Sequence, residues 1–490
     1  MVNASERRLL QILGDWMQDN GPLYARLTRA FVNAIENSDL PSGTKLPAER
    51  ALAQTLGVSR ATVTQAYEAL RDAGWVQSRQ GSGTWVGSAS QAGRYAAAAG
   101  PRPLSSGTFF TRLMDSSAQP PINMSMAVLP GADEIFAEDN SINLSDLLGV
   151  PSHGYAPLGY QPLRQEIARS YDRAEVPTLA EEVLVTTGAQ QAISLLAGHY
   201  LQRGDAVVVE SPTYSGAIDA FSRAGARLIP VPVGNDGIRL DVLAEALASS
   251  KPRLVYLMPT FQNPTGAVMP EEARMQVARL ADQSQVPFVE DNTLADLSFG
   301  SKPPPPLSHY SRGGTIVSVG SMSKLYWAGI RIGWVRGPES LITRLGQHKV
   351  AADLGSSMVS QVLACRILPN HEAVQARRAK MLRSRLDLLE RLLHERIPEW
   401  RWHRPKGGLS LWVRTTSGDA NAFADQALRH GVAIIPGSDL APDDAFHDTI
   451  RLNYVVDEAL IEAAVERLAA AWQAHRAAGG PQREAVEVKV

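Results

Sequence analysis

The sequence predicts an α/β fold with a mainly parallel sheet, preceded by a small helical domain that closes on a β-hairpin. Beyond residue 150, short apolar runs alternate with helical stretches, the pattern of parallel strands joined by helices. Before residue 87, three helical periods lead into two strand-like runs around a glycine-rich turn. Between them lies a stretch of small residues. The 490 residues exceed the roughly 100–200 of a single domain, so two or three domains are expected. With 44% hydrophobic and 20% charged residues, the chain has ample material for a large core.

In the first domain, Tyr24, Leu27, Phe31, Ala34 and Ile35 mark one face of a helix. Pro47 opens a second helix, Ala48–Leu56, which Gly57 stops in a C-cap position. Ser59 suits the N-cap of a third helix running to about Ala73, with Val63, Ala66 and Leu70 inward. Val76–Arg79 and Thr84–Val86, joined by Gln80-Gly-Ser-Gly83, then form a hairpin or wing. The turn at Gly57-Val58 is a helix-turn-helix signature, whose third helix enters a major groove. Ser59, Arg60, Thr62 and Thr64 at its start can reach phosphates or base edges, and Arg50 the backbone. Gly81 and Gly83 allow the wing to approach a phosphate. Charge adds little: residues 1–90 hold nine Lys/Arg and eight Asp/Glu, a net of +1. A helical protein-interaction module is the alternative reading.

The first domain is assigned residues 1–87 and a linker 88–120, on Gly87-Ser-Ala-Ser-Gln-Ala-Gly and the small-residue run to Gly100. The second domain covers 121–475, with a large part at about 155–340 and a small part at about 360–475; 476–490 is a polar tail. One cysteine, Cys365, excludes an internal disulfide framework. No apolar run approaches 18 residues and no leader pattern opens the chain, so a cytoplasmic protein with no membrane partner is expected. No His or Cys spacing suggests a metal site.

In the large domain the chemistry falls at strand ends. Val183–Thr186 leads into Thr187-Gly188-Ala189-Gln190, a helix start whose backbone amides bind anions. Ala206–Val209 leads to Tyr214, an aromatic able to stack on a flat heterocycle. Leu254–Met258 runs into Gln262-Asn263-Pro-Thr-Gly266, a rigid turn presenting an amide. Phe288–Val289 ends in Glu290-Asp291, a carboxylate suited to a protonated ring nitrogen. Thr315–Val319 precedes Gly320-Ser-Met-Ser-Lys324, with Arg331 seven residues on. Ser321, Ser323 and Arg331 suit phosphate oxygens, and Lys324 a Schiff base with an aldehyde. Each element alone is ordinary; their order is not.

The segments Pro22-Leu-Tyr, Gly43-Thr-Lys-Leu-Pro-Ala-Glu-Arg50, Leu56-Gly-Val-Ser-Arg60 and Gly81-Ser-Gly-Thr-Trp85 resemble the winged helix of GntR-type repressors. Residues 120–475 resemble the fold-type I aminotransferases that use pyridoxal 5'-phosphate (PLP), and the whole chain resembles a MocR-type transcriptional regulator. The resemblance implies that Lys324 holds PLP as a Schiff base, Asp291 pairs with the pyridine nitrogen, Asn263 with the phenolic oxygen, and Tyr214 covers the ring. It assigns the phosphate to Gly188, Ala189, Gln190, Ser321, Ser323 and Arg331. It further implies a homodimer in which Tyr155 reaches the partner's cofactor phosphate. Arg451, in Ile450-Arg-Leu-Asn-Tyr454, clamps an effector carboxylate, and Gly407–Trp412 is a small-domain strand.

One position departs from that pattern. Family members place a tyrosine shortly after the aspartate, whereas this chain reads Asp291-Asn-Thr293-Leu294. The expectation is a regulator that binds an operator in double-stranded DNA and senses PLP, an amine or an amino acid. The alternative is a working aminotransferase with a DNA-binding head.

Overall fold

The computed structural model describes residues 12–13, 16, 23–36, 40, 44–72, 76–79, 83–86, 120–131, 142, 153–300, 302–416, 418–443 and 445–477. The chain divides into two compact units, Met1–Leu104 and Ser105–Val490. The linker 88–119, Gly81 and the tail 478–490 lie outside the described residues.

In the first unit, α1 (Leu23–Glu36) buries Leu27, Phe31 and Ala34, but Leu23 and Tyr24 are exposed, so the apolar face begins a turn later than its periodicity suggests. β1 (Lys45–Leu46) is too short to read from sequence. α2 (Glu49–Leu56) starts one residue after Ala48, whose extended backbone (ψ 143) makes it the N-cap. Gly57 ends α2 at φ 66, the left-handed turn that glycine adopts without a Cβ penalty. α3 (Arg60–Asp72) opens where Ser59 Oγ accepts from the Thr62 N–H at 3.1 Å. β2 (Val76–Arg79) and β3 (Gly83–Val86) form the antiparallel wing, and β1 adds a third strand on β3 through Lys45↔Trp85. Val63, Ala66, Tyr67 and Leu70 of α3 pack with Phe31 and Leu52 in one core.

The second unit begins with β4 (Ile122–Asn123) and α4 (Gln161–Arg173). There follow β5 (Val183–Thr186), α5 (Ala189–Tyr200), β6 (Ala206–Ser211), α6 (Ser215–Arg223), β7 (Arg227–Gly234), β8 (Gly237–Ile238), α7 (Leu240–Ser250), β9 (Leu254–Leu257) and α8 (Glu271–Ser284). β10 (Phe288–Asp291), α9 (Leu307–Tyr310), β11 (Ile316–Ser321) and β12 (Gly333–Arg336) complete an eight-stranded sheet, ordered β5-β12-β11-β10-β9-β6-β7-β8. It is mainly parallel; β12 and β8 run antiparallel to their neighbours. Alternate residues feed opposite faces: Val207, Val209 and Tyr256 join one core cluster, Val208, Val255 and Leu257 another. Burial on both faces explains why these strands read as continuous apolar runs.

α10 (Glu339–Asp353) packs on α5 and β5, and α11 (Met358–Ile367) on α4. The smaller part contains α12 (His371–Arg396), β13 (Arg401–Trp402), β14 (Ser410–Arg414), α13 (Ala420–Arg429), β15 (Val432–Ala433), β16 (Ile435–Pro436), β17 (Thr449–Asn453) and α14 (Glu458–Ala477). Its antiparallel sheet runs β13-β14-β17-β16. β4 pairs with β15 in a separate two-stranded sheet, through Val432↔Ile122. Among the described residues, no helix is long and apolar enough to cross a membrane, and no cluster could hold a metal ion.

Candidate functional site

The carboxyl ends of the parallel strands share one rim of the sheet, where the connecting loops converge. Register places Gly333 of β12 between Thr186 of β5 and Ser321 of β11. The start of α5 therefore lies against the loop that follows β11. Gly188 caps α5 at φ 101, and a Cβ there would stand 2.8 Å from the Arg331 guanidinium. Ala189 and Gln190 open the helix, whose first N–H groups lack intrahelical partners. Arg331 donates to the Thr187 carbonyl. Ser321 Oγ donates to the Ile332 carbonyl at 3.2 Å and accepts from the Ser323 N–H at 3.1 Å.

Ser323 Oγ is buried and has no hydrogen-bond partner among the described residues. Leaving a buried hydroxyl unpaired costs about 1–3 kcal/mol. A phosphate oxygen between this hydroxyl, the start of α5 and Arg331 would satisfy it, so the donor set fits PLP.

Lys324 Nζ donates to the Ala127 carbonyl at 2.8 Å. Burial, reinforced by Arg451 and opposed by Asp291, lowers its pKa to about 8. A neutral amine near physiological pH is what condensation with an aldehyde requires. Asp291, 1% exposed, accepts from the Tyr256 hydroxyl at 2.6 Å and from the Thr293 N–H at 2.9 Å. Burial pushes its pKa up despite these bonds. A protonated ring nitrogen would supply the missing counter-charge.

Tyr214 donates to Gln190 Oε1 at 2.9 Å, and Gln190 Nε2 donates to the Gly216 carbonyl at 2.8 Å, so the ring is tied to the helix start. Burial, then the charge of Asp291, raises its phenol to about 12 and keeps it a donor. Arg451 donates to Asn263 Oδ1 at 3.1 Å and to the Ser125 carbonyl at 2.6 Å. With its oxygen so held, Asn263 has only its NH2 to offer, as a donor suited to an ionised phenolic oxygen. Leu294, three residues after Asp291, is buried and apolar.

The second unit thus gathers Gly188, Ala189, Gln190, Tyr214, Asn263, Asp291, Ser321, Ser323, Lys324, Arg331 and Arg451. Tyr155 is not gathered with them; it is 55% exposed and stacks on His153. In the first unit, Arg50, Ser59 and Arg60 are exposed at the start of α2 and α3. Thr62 Oγ1 bonds Ser59 Oγ at 2.8 Å, and half-buried Thr64 donates to Glu49 Oε2 at 2.9 Å, so both threonines already have protein partners. Gly83 opens β3.

Four contributors escaped the sequence reading. Tyr256 reads as one more core residue until β9 is paired beside β10, at Val289↔Tyr256. The carbonyls of Ser125 and Ala127 carry no residue-type signal. Arg378, on α12, donates to the Leu325 and Tyr326 carbonyls at 3.1 Å each and so fixes the chain just after Lys324.

A family profile described as aminotransferase class I and II matches residues 142–468, and one described as bacterial regulatory proteins, gntR family, matches residues 23–86. An uncharacterized HTH-type transcriptional regulator, YisV of Bacillus subtilis, is 30% identical over 88% of this chain and 92% of its own. The probable rhizopine catabolism regulatory protein MocR of Rhizobium meliloti is 31% identical over 77% and 78%. Among solved structures, LysN, an alpha-aminoadipate aminotransferase from Thermus thermophilus complexed with N-(5'-phosphopyridoxyl)-L-leucine, superposes with a TM-score of 0.70. It is 29% identical, over 78% of this chain and 97% of that one.

Proposed function

The chain belongs to the MocR-type regulators, gntR-family winged helices joined to a class I and II aminotransferase domain, and from that premise we infer that it is a DNA-binding regulator whose PLP domain senses an amine or amino acid. The contact set that most supports sensing lies over the site. Lys324 Nζ donates to the Ala127 carbonyl and Arg451 to the Ser125 carbonyl, both on the stretch that follows the chain out of the first unit. An amino acid would address the same place, its amine competing with that of Lys324 for the PLP aldehyde and its carboxylate meeting the guanidinium fork of Arg451. Its carboxylate therefore competes with the Ser125 carbonyl for Arg451. An effector shifts the chain between states only by its difference in affinity for them, and this competition supplies one.

Bound PLP supplies an aldehyde that condenses with primary amines and a ring that withdraws electron density. Lys324 presents the protein's own amine, and with a pKa of about 8 a useful fraction is neutral at physiological pH. Asp291 holds the ring nitrogen's proton, Tyr214 covers the ring, and Gly188, Ala189, Gln190, Ser321, Ser323 and Arg331 hold the phosphate. Exposed Tyr155 serves the partner's site in a homodimer. In the head, Arg50, Ser59, Arg60 and Thr62 meet an operator in double-stranded DNA, and Gly81 and Gly83 bring the wing to its backbone.

Lys324, Asp291 and Arg451 would also serve a working aminotransferase, and one experiment separates the readings. Full-length protein loaded with PLP is mixed with an amino-acid panel, while its absorbance and its binding to upstream intergenic DNA are followed. A lasting spectral change with altered DNA affinity supports the regulator. Rapid keto-acid release with unchanged DNA binding makes the chain an enzyme. Intact control of its own promoter by a protein lacking residues 1–90 would also defeat the regulatory reading.

A further inference from the structure

An ion pair between a buried lysine and a partly exposed aspartate stands behind the phosphate turn. Lys349 of α10 has a fully buried side chain. Its Nζ donates to both oxygens of Asp353, at 2.7 and 2.6 Å, and to Gln191 Oε1 at 3.2 Å. Gln191, in the first turn of α5, donates through Nε2 to Asp353 Oδ2 at 2.7 Å and accepts from the Thr187 N–H at 2.9 Å. The Thr187 carbonyl in turn accepts from Arg331. An unbroken path of hydrogen bonds therefore links Asp353, Lys349, Gln191, Thr187 and Arg331.

The same carboxylate reaches the other wall. Asp353 Oδ1 accepts from the Gly355 N–H at 2.9 Å, and Gly355 packs so tightly on Ala156 that a Cβ would stand 3.1 Å from the Ala156 carbonyl. Ala156 follows Tyr155 in the chain. Gly346, on the same helix, leaves no room beside Leu158: a Cβ there would meet its side chain at 2.4 Å. The lysine's desolvation offsets much of what the ion pair adds to stability, so its main contribution is direction. Burial lowers the Lys349 pKa, Asp353 opposing it; hydrogen bonds from Gln191, Lys349 and Gly355 outweigh burial at Asp353 and hold it ionised.

We propose that Lys349, Asp353 and Gln191 form a positioning cluster that aims the Thr187–Gly188 turn and Arg331 at the cofactor phosphate, setting the preference for PLP over unphosphorylated pyridoxal. The cluster touches no cofactor atom; it acts through the turn and the guanidinium it braces. This rests on the PLP reading above.

The test titrates full-length protein, stripped of cofactor, with PLP and separately with pyridoxal. Wild type, Gln191→Leu and Lys349→Met are compared, with the melting temperature of each unliganded protein. In both variants PLP affinity should fall on the order of tenfold, the scale on which partners behind a binding shell act, while pyridoxal affinity stays the same. Equal weakening of the two ligands, or no weakening of either, overturns the proposal. Gln191→Leu leaves the ion pair in place and decides the matter should Lys349→Met fail to fold. Wild type that binds no PLP would defeat the reading of the site itself, and this proposal with it; wild type that binds PLP while the variants keep its full preference for PLP over pyridoxal defeats the proposal alone.

Discussion

Replacing Tyr256 by phenylalanine removes a single hydroxyl from the site. That hydroxyl donates to Asp291 Oδ2 at 2.6 Å, with the tyrosine fully buried and the aspartate 1% exposed. The ring packs edge-on against Phe221, centroids 5.6 Å apart, and phenylalanine preserves that contact. A hydrogen bond to a charged group contributes about 1.5–3 kcal/mol, and one pKa unit corresponds to about 1.4 kcal/mol, so Asp291 should rise by about 1–2 units. Burial already holds Asp291 above its ordinary value, so the change adds to an existing shift. Pairing with the ring nitrogen needs the ionised carboxylate. The acid limb of PLP affinity against pH should therefore move upward by about 1–2 pH units, and the two proteins should converge well above it. The sign for stability is consistent. A carboxyl raised in the folded state contributes stability below its unfolded pKa and loses it as pH rises through the folded value. The variant moves the upper end of that window up. Equilibrium titrations with PLP at a series of pH values measure the limb. Superimposable limbs for wild type and variant would refute the role given to this hydroxyl.

Lys324→Ala should abolish borohydride trapping of PLP, read by mass spectrometry, while non-covalent PLP binding persists through the phosphate contacts; in wild type the condensation rate should climb as pH rises through about 8, where the amine loses its proton. Gly188→Ala places a Cβ at φ 101 and 2.8 Å from Arg331, and should lower unfolding free energy by about 1–3 kcal/mol in denaturant melts; an unchanged midpoint contradicts this. Arg60→Ala gives up an ion pair with Glu49 at 3.5 Å whose arginine is 70% exposed, worth at most about 1 kcal/mol, so melting should hardly change. Its DNA affinity should fall and its salt slope shrink by about 1 if the guanidinium meets a phosphate; retention of both locates the operator contact elsewhere.

Some strands were legible in the sequence and others were not. β5, β6, β9, β10 and β11 are buried almost throughout, so each opens on an apolar run, which Glu290 and Asp291 cut short in β10 and Ser318 interrupts in β11. β7 hides behind Pro230 and Pro232. It tolerates them because β8 pairs with it only at Val233 and Gly234, leaving most of one side without a ladder partner. β12 follows too closely on the Lys324 loop for its period to emerge. In the head, both caps were legible, because Gly57 and Ser59 act on their own neighbours. Thr64 was not, because its partner Glu49 lies 15 residues back.

Residue type and local order were enough to nominate Lys324, Asp291, Asn263, Tyr214, the two serines and Arg331, since the chemistry each offers resides in its own side chain and in the strand end that carries it. Pairing between distant segments decided the rest. Tyr256 became a donor to Asp291 only through the lateral register of two strands. Lys349, in a helix of mixed polar and apolar residues, became a fully buried cation only through packing against α5. Carbonyls at Ser125 and Ala127 became the partners of Arg451 and Lys324 because the chain leaving β4, itself held on β15, passes beside both side chains. A side chain's chemical character is intrinsic to its residue, whereas its partner, its dielectric surroundings and therefore its proton affinity are set by residues far away in sequence.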